Sequence, residues 1–299
     1  METKTRLFIL TLITAILVTV SCEKTITIKQ LPYQSKLSIQ CLITPNQQPV
    51  LYFNRTVPYF DPKVNTRELT IDNATVTLND GSSTHQLQFD SLYNLQFCRY
   101  DYFYKGLQNI QSGKTYKLTV IYNNQTYTAE ATTNQVTTPV TSTSFVKVFK
   151  DIYGEHEGVI VGYTDIAGIE NYYRYEMGRM IDSSVKTVGN VKSSCTFGVK
   201  YYVKEIGRTI YADKNVDGLA LTFTFEPTYS HKKDDSCYIR LQSVDKNIFT
   251  FYDNLDKQKL SQFNPFVEPV FIIPGQFKDA IGVFGAYAFS DSVLFVYPE

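Results

Sequence analysis

The chain has 299 residues, enough for one large domain or two ordinary ones, and sets 29 basic side chains against 29 acidic ones. That balance leaves no basic field to hold nucleic acid. Tyr (23) and Phe (20) are abundant and Trp is absent, a strand composition rather than a helical one, and only three His limit metal and acid–base chemistry.

Residues 1–24 set the compartment. Lys4 and Arg6 precede an apolar run over 7–20 broken only by Thr11, Thr14 and Thr19. A charged start before an apolar run too short for a comfortable bilayer span is the layout of a secretory signal. The run ends in Thr19-Val20-Ser21-Cys22, and a small residue followed at once by Cys resembles the lipobox of bacterial lipoproteins. That resemblance implies a signal peptide over 1–21, cut before Cys22, whose thiol then carries a diacylglycerol and whose amine carries an acyl chain such as palmitate. The alternative is an ordinary signal with Cys22 incidental.

Residues 22–34 are polar and read as a tether. Strands follow at 37–43 and 50–56, separated by a turn at 45–49, then at 74–79 and 85–89 joined through Asp80-Gly81. A hairpin over 115–122 and 126–131 turns at Asn123-Asn124, residues that accept positive φ cheaply. Short strands at this spacing, with no helix among them, predict an immunoglobulin-like β-sandwich over 35–134. The Thr/Ser-rich stretch 134–144 is the expected boundary.

Beyond it, strands are expected at 159–163, 172–180, 197–203, 219–225, 237–244, 270–273, 283–289 and 293–297. Ile248, Tyr252, Leu255 and Lys259 fall at helical spacing, with Ser243 or Asp245 as cap, so a helix is expected over 247–261. Residues 144–299 thus read as a second β domain, sandwich- or barrel-like, carrying one helix, and the fold class is all-β. Besides Cys22, the cysteines are Cys41, Cys98, Cys195 and Cys237. In an exported protein they allow three pairings, with Cys41 and Cys237 also readable as buried thiols.

Several motifs in order resemble one family. They are Pro58-Tyr59, Asn73-Ala74-Thr75-Val76, Gly113-Lys114-Thr115-Tyr116-Lys117-Leu118, Tyr127-Thr128-Ala129, Asn171-Tyr172-Tyr173-Arg174 and Asp217-Gly218. The closing pair is Asn264-Pro265-Phe266-Val267-Glu268-Pro269-Val270 and Gly282-Val283-Phe284-Gly285-Ala286-Tyr287. Together they look like a Bacteroidota lipoprotein family catalogued as a domain of unknown function, whose members are often encoded beside TonB-dependent outer-membrane receptors. The resemblance implies an outer-membrane, lipid-anchored protein with such a receptor as partner, and brings no reaction with it. Glu23 beside Cys22 points to the cell surface, with a periplasm-facing position the alternative.

Three stretches bear on chemistry. Asp213, Asn215 and Asp217 match the first half of a Ca²⁺ loop with Gly218 at its sixth position, but Thr224 stands where the bidentate Glu belongs. An Asp-Gly hairpin turn is the simpler reading, so no metal or other cofactor is expected. Glu155-His156-Glu157 between Gly154 and Gly158, and the run from His231 to Asp235, read as solvated loops. Tyr100, Tyr102 and Tyr104, like Tyr172, Tyr173 and Tyr175, either pack across strands, the commoner outcome in a Tyr-rich β chain, or stack on a glycan or peptide. The first set sits in a connection between strands, where binding residues collect, and is the better candidate.

No nucleophile elbow or phosphate loop is present in the sequence. The expectation is therefore a non-enzymatic accessory of a TonB-dependent transporter. The alternatives are a stand-alone glycan- or peptide-binding surface lipoprotein, and a hydrolase in which His156 or His231 meets a Ser or Cys and a carboxylate.

Overall fold

Alternation of apolar with polar side chains decides most of what forms. In Leu37–Ile43 (β1), Ile39, Cys41 and Ile43 are buried, and in Thr115–Tyr122 (β6) so are Tyr116, Leu118, Val120 and Tyr122. Successive strand side chains point to opposite faces, so each run turns one face to a core. The computed structural model describes residues 33–58, 65–151, 154–181, 195, 199–207, 210–261 and 275–298. The signal peptide, Cys22, most of the tether, the strand expected at 270–273 and the motif from Asn264 to Val270 lie outside them.

The remaining elements follow in chain order. Val50–Arg55 (β2), the one-turn helix Thr66–Leu69 (α1), Thr75–Asn79 (β3), Thr84–Asn94 (β4), Arg99–Lys105 (β5) and Gln125–Thr132 (β7) complete the first half with β1 and β6. Val140–Asp151 (β8), Gly154–Thr164 (β9), Tyr172–Ile181 (β10), Tyr201–Ile206 (β11), Tyr211–Ala212 (β12) and Ala220–Phe225 (β13) come next. Ser236–Val244 (β14), Lys246–Ser261 (α2), Ala280–Phe289 (β15) and Val293–Val296 (β16) close the chain. The all-β class holds. Asn123 and Asn124 adopt φ of 48° and 59° at the β6–β7 turn, as their short polar side chains permit.

Four local expectations are corrected. The first half does contain a helix: Asn65 caps α1 by accepting from the Arg67 backbone N–H at 3.0 Å. Tyr100, Tyr102 and Tyr104 lie in strand β5, not in a connection. Glu155, His156 and Glu157 lie in strand β9 despite the flanking glycines. Asp217-Gly218 does not close a hairpin, because β12 pairs with β10 while β13 pairs with β9, so the loop passes between sheets.

One sheet runs through the sequence order β11-β10-β14-β15-β1-β2-β5-β4-β3-β6-β7, and β13-β9-β8 form a second. The chain from Ser35 to Glu299 makes one compact unit. Its hinge is β15, which pairs in parallel with β1 from Leu37↔Ala280 to Ile43↔Ala286, then antiparallel with β14 at Val244↔Tyr287. Residues on either side of 134–144 therefore share a sheet.

Two main cores result, both sandwich-like. One gathers β1, β2, β3 and β6 side chains such as Ile39, Phe53, Leu78 and Leu118, with Phe284 and Ala286 contributed by β15. The other lies between β9 and β13 (Val159, Val161, Phe223, Phe225) and β10 and β14 (Tyr173, Met177, Ile239, Leu241). Cys98 and Cys195 form a disulfide, while Cys41 and Cys237 stay buried thiols, the other reading their alternating strands allow.

Candidate functional site

β2 and β5 pair only at Val50↔Lys105 and Leu51↔Tyr104. Past that point they part, and α1 enters beside β2, bridged to it at Asn54↔Thr70. A cleft of ≈ 360 Å³ opens there. Thr66, Leu69 and Thr70 of the α1 segment line it with Tyr52 and Asn54 of β2, Arg99, Asp101 and Tyr102 of β5, and Gln40 of β1. Strand alternation brings Tyr52 and Asn54 to one face of β2, and Arg99 and Asp101 to one face of β5.

The lining is aromatic and polar at once. The Tyr52 ring packs edge-on against Phe103 at 6.0 Å, and burial with the nearby Asp101 charge raises its phenol above the usual range. Asn54 Oδ1 accepts from the Thr70 hydroxyl at 3.0 Å, and Gln40 Nε2 donates to the Tyr252 hydroxyl at 2.8 Å. Arg99 lies 3.4 Å from the Asp101 carboxylate. Amides, hydroxyls and a held guanidinium–carboxylate pair suit a neutral, hydroxyl- or amide-bearing ligand, with aromatic faces for its C–H surface.

The three tyrosines have different surroundings. Tyr104 is only 2 % exposed, and its hydroxyl accepts from the Ala74 backbone N–H at 2.9 Å. It is a core residue, and the structure removes it from the binding set. Tyr102 stacks near Phe89 at 6.2 Å, with the Arg67 guanidinium 5.3 Å from its ring, and reaches the cleft. Tyr100 is exposed farther along the hairpin, packed edge-on against Tyr93 at 5.1 Å.

Asp213 and Asp217 do come together, and their third companion is Asp165, whose carboxylate oxygens lie with theirs within 4.8 Å. Asn215 instead takes a left-handed turn position at φ 69°. Asp165 accepts from the Tyr173 hydroxyl (2.9 Å) and the Gly218 N–H (2.8 Å), Asp213 from the Asn171 N–H (2.9 Å), and Asp217 from the Gly168 N–H (2.8 Å). These bonds clasp the β9–β10 loop onto the β12–β13 loop. Asp165 stands too far away in sequence for a loop pattern to include it.

Two of the three histidines sit beside carboxylates. His156 Nδ1 is 3.3 Å from Glu226, and His231 Nδ1 is 3.6 Å from Glu157, so neighbours on β9 serve different partners. His231 is buried and stacked 3.8 Å from the Tyr297 ring, which corrects its reading as an exposed turn residue; only the following Lys232 to Asp235 close a turn.

Another polar cluster went unread in the sequence. Buried Glu176 of β10 accepts from Arg240 Nε and Gln242 Nε2, each at 2.9 Å, while Gln242 accepts from Arg174 Nε. Its members alternate along β10 and β14 opposite one another, a pattern visible only once the register is known.

Among the described residues no helix is long and apolar enough to cross a membrane. Fold and cleft together define an all-β, sandwich-like protein with a polar, aromatic-walled cleft. The chain belongs to the family described as a domain of unknown function (DUF4249), whose model matches residues 23–292. No curated protein matches it.

Proposed function

We propose that the protein is a non-enzymatic outer-membrane lipoprotein, anchored by an acylated Cys22 and facing the cell surface, that serves a TonB-dependent transporter as an accessory. The observation that carries this reading is the amino terminus. A charged start and apolar run end at Ser21-Cys22, and the family match begins at residue 23, directly after that Cys. Acyl chains contribute about 0.8 kcal/mol per buried CH₂, so a diacylglycerol with a third chain holds firmly. The transporter partner rests on the resemblance of the motifs to a Bacteroidota family encoded beside such receptors.

Gentle detergent extraction followed by affinity purification tests the partnership. A receptor barrel should co-purify in stoichiometric amount; a clean monomer with no barrel contradicts it.

The cleft between β2 and β5 favours a second reading, a stand-alone surface lipoprotein that binds a glycan or a peptide. Its mixture of Tyr faces, amides and hydroxyls supports that reading.

A further inference from the structure

The β4–β5 hairpin outgrows the sheet that carries it. β3 pairs with β4 only as far as Leu87, and β2 pairs with β5 no farther than Tyr104. Beyond those points the ladder from Phe89↔Tyr104 to Asn94↔Arg99 continues as an arm without a third strand among the described residues. It is flanked by α1, whose Thr66 hydroxyl donates to the Tyr100 carbonyl, while Gln96 in the turn hydrogen-bonds Tyr229. Such a ribbon gains little from water-exposed apolar side chains.

At the end of this arm Tyr93 and Tyr100 share one face, Leu92 stands on the other among Asn94, Arg99 and Asp101, and Leu95 and Phe97 lie in the turn. Leu92 is 66 % exposed, Tyr93 41 %, Leu95 38 %, Phe97 57 % and Tyr100 51 %. Large apolar side chains exposed together at the end of one hairpin mark an interaction surface. It is also held in place: Cys98, in the turn of the arm, is disulfide-bonded to Cys195. The Arg99 guanidinium lies 5.2 Å from the Phe97 ring and 3.4 Å from Asp101, just behind the apolar end.

The ladder registers give the arm its direction. Leu37 pairs with Arg55, and Cys41 with Leu51, which in turn pairs with Tyr104. Running β5 from Tyr104 back toward Arg99 therefore leads to the end of the sheet at which β1 begins. The arm runs toward the same end where the chain enters at residue 35. Residues 22–34, fully extended, reach at most about 45 Å. A lipid on Cys22 would leave this end of the sheet no farther than about that distance from the bilayer.

We propose that the β4–β5 arm seats its apolar end in the interface of the lipid surface that holds Cys22, as a second, non-covalent attachment. The proposal rests on the acylated-Cys22 reading above. Leu92, Leu95 and Phe97 enter the headgroup–acyl boundary to a depth of about 5–10 Å, with the Tyr hydroxyls at headgroup level. Arg99 extends its charge to water and phosphate while its stem stays apolar. A second attachment at the arm orients the protein on the membrane, which a single anchor at Cys22 does not.

The chain contains no Trp, so Phe97→Trp introduces a single indole, which can be excited selectively at the red edge of the Tyr absorption. Full-length acylated protein carrying this change is placed in phosphatidylethanolamine–phosphatidylglycerol vesicles, with and without brominated acyl chains, after intact mass has established the lipid on Cys22. The expected result is a blue-shifted emission that brominated lipid quenches. Val148→Trp, at an exposed position of β8, should show neither effect. Acylated, vesicle-bound protein whose position-97 indole is quenched no more than that at 148 overturns the proposal while leaving the anchor intact.

A mass without acyl chains overturns the anchor, and the arm assignment with it. Shielding that appears only in native outer membranes, and not in protein-free vesicles, places the arm against a protein and also overturns the lipid assignment. Leu95→Trp carries the same test if Phe97→Trp fails to fold.

Discussion

Gly282 faces Ile39 across the parallel β1–β15 ladder so closely that a Cβ on it would collide with the Ile39 carbonyl. Its φ of 149° also lies in a region that side-chain-bearing residues rarely adopt. The seam joining the two halves therefore depends on a missing side chain. Gly282→Ala should destabilise the protein by more than about 3 kcal/mol, since clash and backbone strain add. Denaturant midpoints check this; an unchanged midpoint contradicts the close approach. Gly285 is a second such point, where a Cβ would meet Ile248 and the Asp245 carboxylate.

The Cys98–Cys195 bridge spans 97 residues of sequence. Removing it by Cys98→Ser with Cys195→Ser should lower stability by about 3–4 kcal/mol, mostly by freeing the unfolded chain. Cys41 and Cys237 should stay unreactive to a thiol reagent until the protein unfolds, because burial pushes their pKa to about 12 and about 11. Rapid labelling of either thiol in the native protein would contradict the placement.

Asp245 starts α2 and ties it to β15. One carboxylate oxygen accepts from the Ile248 N–H at 2.8 Å, the other from the Ala286 N–H at 2.7 Å. Burial nevertheless raises its pKa to about 6, partly offset by these backbone donors. The folded protein then holds the proton more tightly than the unfolded chain, from the ordinary carboxylate range up to about 6. Stability from this group is present below the unfolded value and is lost as pH rises through about 6, by roughly 3 kcal/mol in all. Asp245→Asn can accept only one of the two backbone bonds and does not titrate, so it starts less stable than the wild type at pH 4. The gap to the wild type should shrink between pH 4 and 7; a constant gap contradicts the raised pKa.

The cleft and the core separate the tyrosines by experiment. Tyr52→Ala and Tyr102→Ala should change stability by no more than about 1 kcal/mol. If the cleft is the ligand site, each should abolish binding on a glycan or peptide array. Tyr104→Ala should instead cost about 3–5 kcal/mol through its cavity and the orphaned Ala74 N–H, with no selective effect on binding. Array binding that survives both cleft variants removes the second functional reading.

Legibility in the sequence followed period. β1, β6 and β7 alternate cleanly, and α2 repeats at helical spacing, so both were readable. β5 reads Arg-Tyr-Asp-Tyr-Phe-Tyr-Lys, where large or charged side chains at every position erase the alternation. β8 opens on Thr and Ser typical of linkers, and α1 is a single turn, too short for any period. What binds these elements together is long-range: the β1–β15 pairing, the choice of disulfide, and the meeting of Asp165 with Asp213 and Asp217. Local pattern carries no information about such pairings. The cleft was half visible, because Tyr102 was singled out while Tyr52, Asn54 and Gln40 sit in ordinary alternating strands.

Intact mass of the mature amino terminus, taken from envelope-extracted protein, tests the lipid anchor most directly. The chain should begin at Cys22 and carry a diacylglycerol with an additional acyl chain, and Cys22→Ser should release the protein from envelopes. An unmodified amino terminus, or a Cys22→Ser protein that still sediments with them, would contradict it.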